Sequence, residues 1–449
     1  MAQILPFAAS TPAPISPLAH FVRLGEAHKK LSDLHAAGKL PASRVVVDAS
    51  RFRVQRELVK ALQDEGAEIV LDTEAAELAS PLKCAGHASG APWSLGKSTP
   101  LGPDFFLKGA KIDVIGQMAR FAVERGVDVV LAPTHFLGDK NFSHWLEIDR
   151  KACLRLREAL DAAGGKHIAI DYPMILSHVE LNAPQVRGTI VQGVSDLPID
   201  NLWIRASGLN SDIAPATLNR YISALAQMHN MGRPVIADYL GGLAGAAAMA
   251  YGVISGHAHG IGERERFDTS GWHKAPAARS DDDEFGRAAR ITLISLNKSL
   301  AMSELELLSK AKGGRRMVSC GNPRCCPHGY EDMVRDSRGH AAYQAFGHHD
   351  ALQKIPDLKR VEYFLNGPMA GAVRESKQIS QLRPPKAEAL RLDIDPDRLM
   401  MRLNEQALRL SKMKTALEKL EEKRDSDLPR ARVAKLRSNK TAQSEENRK

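Results

Sequence analysis

The chain has 449 residues, 43% hydrophobic and 26% charged, which is enough apolar content for a full-sized core and excludes disorder as the default. Most of its formal charge of +9 sits at the end, where residues 401–449 carry 14 Lys/Arg against 8 Asp/Glu, a net of +6. No window approaches about 18 consecutive apolar residues, and the start MAQILPFAASTPAPISPLAHF lacks a basic n-region followed by an apolar h-region. A membrane span and a secretory leader are therefore not expected, and a cytoplasmic location is.

Residues 1–24, with the Pro- and Ser-rich stretch STPAPISPL at 10–18, read as a flexible N-terminal arm. From Gly25 onward one alternation repeats. Short β-branched runs ending in a polar residue occur at Arg44–Asp48, Ala67–Asp72, Val127–Ala132, His167–Asp171, Asn201–Arg205, Arg233–Asp238, His257–Glu263 and Arg315–Cys320. Helical patterns lie between them: Val54–Glu65, Ile112–Arg125, Ile148–Ala163, Pro184–Ser195, Ala214–Met231, Leu243–Val253 and Asp282–Lys310. Strict alternation predicts a parallel sheet, and eight units predict an α/β fold of the (β/α)8 TIM-barrel type over 25–320. An open dinucleotide-binding sheet would want G-x-G-x-x-G after its first strand, where the sequence reads DASRFRVQRE.

The Gly/Pro/Ser-rich stretch from Ala75 to Gly109 and the stretch from Arg264 to Asp283 read as lids or binding loops. A Cys/His knuckle is expected over 320–356, an irregular linker over 357–400 and a basic helical tail over 401–449. In that tail Leu403, Leu410 and Leu417, with Met413 and Leu420, follow a heptad. The helix is expected to dock on the barrel, or to join two copies of the chain.

The C-terminal ends of barrel strands carry the chemistry of this fold, and here they are polar: Asp48, Asp72, His135, Asp171, Arg205, Asp238, Glu263 with Glu265, and Cys320. Converging carboxylates raise one another's pKa, as acid/base or nucleophilic work requires. Asp48 and Asp72 are each followed by helix-compatible sequence and read as helix caps. Asp171 in IDYP and Asp238 in ADYLGG read as pocket residues, because Pro173 delays one helix and Gly241–Gly242 lets a ligand approach bare backbone. Arg205 can clamp a phosphate or carboxylate or neutralise neighbouring acids, and Glu263 and Glu265 either line the mouth or form a solvated ladder with Arg264 and Arg266.

The sharpest local signal is the knuckle, where Cys320, Cys325, Cys326 and His328 fall within nine residues among turn-forming Gly and Pro. Such a set takes zinc tetrahedrally, with His328, His340, His348 or His349 as the fourth ligand. Free thiols and a catalytic Cys320 are the other readings. At the end of an eighth strand the knuckle would form part of the wall beside the active site.

A barrel ending in a three-cysteine cluster with a histidine downstream resembles the tRNA-guanine transglycosylase superfamily, including its DNA-acting relatives, over roughly Arg44 to His349. Within that resemblance Asp171 in HIAIDYP matches the aspartate that recognises the base. Gly241-Gly242-Leu243 matches the loop whose backbone contacts it, and Cys320, Cys325, Cys326 and His348 or His349 match the metal ligands. The resemblance implies zinc, a tRNA or DNA partner, and an aspartate that attacks the sugar C1′ before base exchange. Ala132-Pro133-Thr134-His135-Phe136 replaces the family's Asp-Ser-Gly-Gly, leaving His135 or Asp139 for acid/base work. Glu263, Glu265 and Asp268 lie nearest its Phe-Asp-Cys nucleophile.

The sequence thus predicts a zinc-containing barrel enzyme acting on an N-glycosidic bond of nucleic acid, with Asp238, Glu263 or Glu265 as nucleophile. Its alternatives are a barrel enzyme for a small acidic metabolite and a non-catalytic nucleic-acid-binding protein.

Overall fold

The computed structural model describes residues 15–138, 142–209, 213–261, 267–273, 290–293, 296–423 and 432–434. Eight parallel strands close into a barrel in chain order: β1 (Ala19–Arg23), β2 (Arg44–Asp48), β3 (Glu68–Asp72), β4 (Val129–Leu131), β5 (Ala169–Ser177), β6 (Leu202–Ser207), β7 (Val235–Asp238) and β8 (Gly256–His259). One main helix fills each gap: α1 (His28–Ala36), α2 (Phe52–Asp64), α3 (Val114–Glu124), α4 (Phe142–Ala162), α5 (Pro184–Val194), α6 (Pro215–Ala226) and α7 (Gly242–Ala250). This is a (β/α)8 TIM barrel.

Two strand assignments need correction. The first strand is Ala19–Arg23, inside the stretch expected as an arm. The expected eighth strand, Arg315–Cys320, is instead mostly helix, Gly314–Val318. A run with a single β-branched residue, entered through Gly313 at φ 73°, favours the helical turn. The seam between β1 and β8 depends on a glycine. Ala19 pairs with Gly256, and a Cβ on Gly256 would stand 2.2 Å from the Ala19 carbonyl oxygen.

Alternation sorts each strand into two faces. Ala19, Phe21, Val46, Val70, Val129, Leu131, Trp203, Ile236 and Ala258 fill the lumen. Val45, Val47, Ile69, Leu71, Val130, Ile170, Leu202 and Ile204 pack outward against the helices.

Beyond β8 a second core forms. Strands β9 (Arg290–Leu293) and β10 (Lys298–Ala301) make an antiparallel hairpin, where a continuous helix from Asp282 to Lys310 was expected. There follow α8 (Met302–Ser309), α9 (Gly314–Val318), α10 (Tyr330–Arg335), α11 (Ser337–Gln353), α12 (Arg360–Phe364), α13 (Ala370–Ile379), α14 (Lys386–Arg391) and α15 (Pro396–Glu422). Leu293, Leu300, Leu307, Val318, Met333, Ile379, Leu399 and Leu403 bury one another in this unit. The expected linker over 357–400 is therefore mostly helical, and a wider turn at Leu365–Met369 absorbs Pro368, which has no N–H to donate.

The heptad stripe of α15 docks on its own chain. Leu403, Leu410, Met413 and Leu417 are buried, and Asn219 Nδ2 and Tyr251 Oη donate to the Ala416 and Leu417 carbonyls at 2.9 and 2.6 Å. Those side chains are not free for a second copy. Ala434 packs among the lumen residues Ala19, Phe21 and Val46, and Arg432 Nη1 donates to the Gly232 carbonyl. Among the described residues no helix is long and apolar enough to cross a membrane.

Candidate active site and metal centre

The lumen-facing residues at the strand ends are charged. Arg23 Nε donates to Asp238 Oδ1 at 2.7 Å, and its Nη2 reaches Asp238 Oδ2 at 2.8 Å and Asp72 Oδ2 at 2.9 Å. Arg205 bridges the same two acids, Nε to Asp238 Oδ2 at 2.9 Å and Nη2 to Asp72 Oδ2 at 2.7 Å. Two guanidinium groups thus cross-link strands β1, β3, β6 and β7 through buried, charge-assisted hydrogen bonds. Burial alone would raise the Asp72 pKa, but Arg205, Arg23 and the Glu74 amide outweigh it and hold the carboxyl well below its usual range. The structure therefore joins Asp238 and Arg205. Arg205, however, is committed through Nε and Nη2 to two carboxylates.

Beside this platform lies a second, more accessible group. Arg23 Nη1 contacts Asp48 Oδ1 at 3.3 Å, and Asp48, Glu74 and His87 each offer a ligand atom within 4.8 Å of the other two. Glu74, at φ 53°, accepts from the Ser50 amide and hydroxyl at 2.7 and 3.0 Å and meets His87 Nε2 at 3.2 Å. Burial, then the charge of Glu74, pushes Asp48 up to about 7. Burial likewise raises Glu77 to about 6, against the field of Arg205. The hydrogen bond to Glu74 raises His87, whose side chain is 42% exposed.

Neither Glu74 nor His87 was legible as a site residue, and Asp48 was read as a cap. Asp48 does precede a helical turn, but its side chain makes no cap hydrogen bond; it turns into the lumen instead. Asp72 does accept from the Glu74 amide at 3.0 Å while also serving both arginines.

The insertion after β3 delivers His87. It is anchored by Trp93, fully buried, whose Nε1 donates to the Thr73 carbonyl at 3.0 Å. Ser80 Oγ donates to the Trp272 carbonyl at 3.0 Å, tying this insertion to the one after β8. Phe267 and Trp272 pack there with partly buried Phe136 and Tyr239. Tyr239, at φ 57°, lies 4.2 Å from the Arg23 guanidinium and 5.5 Å from the Phe267 ring. The mouth thus combines a proton-holding acid, a histidine and an aromatic wall.

Asp171 is elsewhere. It lies in the lumen below the mouth, four residues before Ile175, the register partner of Arg205, because β5 continues through Pro173 to Ser177. Its carboxylate accepts from the Asn201 amide at 3.1 Å, Asn201 Nδ2 at 2.9 Å and Trp203 Nε1 at 2.8 Å. It fastens β5 to β6 and is not placed to read a base. His135 is 2% exposed, stacks on Trp145 at 4.0 Å and pairs with Asp149 Oδ1 at 2.5 Å, which locks it beneath Phe106. Burial raises Asp149 despite that pairing. In the glycine loop the Leu243 amide donates to Asn297 Oδ1 at 3.2 Å. Gly242 and Leu243 line a cavity on the outer side of the barrel, and Gly241 precedes them as the cap of α7. Glu263, Glu265 and Asp139 lie outside the described residues.

The knuckle forms a four-donor cluster of Cys320, Cys325, Cys326 and His340 whose ligand atoms lie within 4.8 Å of one another. His340 Nδ1 is 3.4 Å from Cys325 Sγ and 3.5 Å from Cys326 Sγ, and the two sulfurs are 3.6 Å apart. Metal–sulfur bonds of about 2.3 Å in a tetrahedron separate ligands by roughly 3.5–3.8 Å. The cluster fits such an ion, and Gln344 Nε2 donates to Cys320 Sγ at 3.3 Å as an outer support. Burial pushes Cys325 and Cys326 up, and for Cys326 the neighbouring thiols add to it, an effect that a bound cation reverses.

The fourth donor is therefore His340, not His328, His348 or His349. His328 is exposed and bonds to Asp332, His348 is exposed, and His349 turns toward the barrel. The location also differs from expectation. Asn322 and Arg324 line one cleft with Lys39, Pro41 and Ser43 of the α1–β2 loop, so the knuckle lies by the N-terminal face, away from the mouth.

These features define a barrel with a charged, aromatic mouth and a separate Cys3His cluster that can hold a metal ion. No protein-family model matches the chain, and no curated protein matches it in sequence.

Proposed function

We propose that this protein is a zinc-stabilised barrel enzyme that cleaves or exchanges an N-glycosidic bond of nucleic acid. The observation that carries the reading is the Asp48–Glu74–His87 group at the lumen rim, where burial and the charge of Glu74 push the Asp48 carboxyl up to about 7. A carboxylic acid in that state suits protonation of a leaving base. In the proposed step the C1′–N bond breaks and its electron pair leaves with the base. The base takes the Asp48 proton, and water or an incoming base bonds to C1′, returning a proton to the Asp48 carboxylate.

Phe136, partly exposed in the aromatic wall of the mouth, supplies a surface against which a splayed-out base can stack. The basic tail supplies phosphate contacts. Asp238 serves in this account as part of the platform rather than as nucleophile, because both its oxygens are held by arginine. The cysteine cluster supplies stability, since it stands away from the mouth. Incubating the protein with tRNA and with DNA and identifying released or exchanged bases by mass spectrometry tests the proposal. Loss of that product in Asp48→Asn supports it, and an unchanged product rate contradicts it.

A further inference from the structure

Four histidines meet on the outer face of the barrel, at the seam between its first and last strands. His20 of β1 pairs in register with His257 of β8, and His259 follows two residues on, so all three point outward by the same alternation that sends Phe21 and Ala258 into the lumen. The fourth, His349, comes from α11, which covers the seam. The ring centroids of His20 lie 4.9, 4.8 and 4.8 Å from those of His257, His259 and His349. His20 Nε2 and His259 Nε2 are 2.8 Å apart. The ligand nitrogens of His20, His257 and His349 lie within 4.8 Å of one another.

An imidazole cluster is a poor way to fill a core. Apolar side chains would pack the seam without stranding polar atoms, as Val22 and Val45 do one strand along. Here both ring nitrogens of His257 and Nδ1 of His349 are buried without a well-aligned hydrogen bond, only the Leu240 and Leu18 carbonyls acting on the two rings from nearby, in residues only 5% and 6% exposed. Such stranded nitrogens cost about 1–3 kcal/mol each unless something binds them. Room is kept for His257 as well: a Cβ on Gly245 would stand 3.0 Å from its Nδ1.

We propose that His20, His257 and His349, with His259 beside them, form a second metal site, which takes a first-row divalent transition ion through neutral imidazoles. Three observations meet in it: convergent nitrogens, stranded lone pairs and an entry path. Tetrahedral ligation at about 2.0–2.1 Å needs nitrogens about 3.3 Å apart, and those of His20, His257 and His349 lie within 4.8 Å of one another. Burial, followed by their mutual fields, lowers the proton affinity of His20 and His257, which keeps the donors neutral. A cavity lined by His257, His259, Asn297, Lys298, His348 and His349 opens on one side, and the cleft that holds His20 and Asp350 opens on the other. No carboxylate is among the donors, so the ion keeps its double charge and draws hydroxide or a small anion from the cavity. Along α11, His349 stands nine positions beyond His340, so at 1.5 Å per residue one helix spaces the two centres by roughly 13 Å.

The test uses the full chain and cobalt(II) alone. Metal-stripped protein is titrated while the visible and near-ultraviolet spectrum is followed, and retained cobalt is counted after desalting. The proposal expects two retained equivalents, of which one develops thiolate-to-cobalt charge-transfer absorption and the other only ligand-field bands. His349→Gln should retain one equivalent with the charge-transfer band intact, and that band shows that the C-terminal unit is folded. Cys325→Ser with Cys326→Ser should retain one equivalent without it, so failure of the cysteine centre is distinguishable from failure of this one. Saturation of the wild-type chain at one equivalent with full charge-transfer absorption overturns the proposal, as does a His349→Gln chain that still retains two.

Discussion

Arg23 at the end of β1 donates to Asp238 at the end of β7 across 2.7 Å, although β8 lies between their strands. The bond crosses the lumen, and with Arg205 it makes the rim of the barrel one electrostatic unit. Removing a guanidinium from such a unit leaves buried carboxylates uncompensated. Arg205→Ala should therefore cost about 3–5 kcal/mol. Arg205→Lys should recover part of that loss, since it restores the charge but not the fork. Urea denaturation measures both, and a loss under about 1 kcal/mol for the alanine variant would contradict a cross-linked rim.

The acids of the mouth also set a pH dependence. Asp48 rises from 3.8 to about 7 and Glu77 from 4.5 to about 6, so the folded state holds more protons than the unfolded chain between those limits. This contribution is fully present below about pH 4 and is lost as pH rises through 6 and 7. Each group contributes a slope of at most about 1.4 kcal/mol per pH unit. Asp72 acts in the opposite sense, its contribution disappearing only in acid below its usual range. The buried imidazoles of His20, His257 and His349, whose proton affinity is lowered, act the other way between about pH 4 and 6.5. The Asp48 contribution is therefore read as a difference: the gap in denaturation midpoint between wild type and Asp48→Asn should narrow from pH 4 to 8.

Metal removal should loosen the C-terminal unit. Cys326 is packed in the same core as Leu307, Val318 and Met333, so an ion at the Cys3His cluster stabilises folding directly. For an ion present at a hundred times its dissociation constant the loss on chelation is about 2.7 kcal/mol. Chelator should lower the melting temperature of wild type by more than that of Cys325→Ser, which keeps the histidine cluster. An equal effect on both would place the stabilising ion elsewhere.

The proposed nucleic-acid contact predicts a salt dependence. A chain ending at residue 423 should bind tRNA or DNA more weakly than the full chain, with a shallower slope of log affinity against log salt. Identical slopes would remove the tail from the interface.

Much of the barrel was legible because β-branched runs such as RVVVD and EIVLD alternate with helices closed by glycine. The register of the count was not. AHFVR is a short strand whose outward positions hold His20 and Val22, and its Pro- and Ser-rich neighbourhood masked the alternation. Losing β1 also lost Arg23, the residue that organises the rim. Asp48 and Asp72 looked like caps because cap and rim positions coincide at a strand end, and only the inward turn of the side chain separates them. His340 was one of several candidate ligands. What singles it out is α11 passing over the cysteines, a tertiary fact no spacing encodes.

The most direct test of the account is the pH profile of base release or exchange from nucleic acid, measured for wild type and Asp48→Asn. Asp48 as the proton donor predicts a wild-type rate that falls as pH rises through about 7, and a variant slower by roughly 10²–10⁴-fold that has lost this limb. A variant with the wild-type rate and profile would contradict the assignment of chemistry to this mouth.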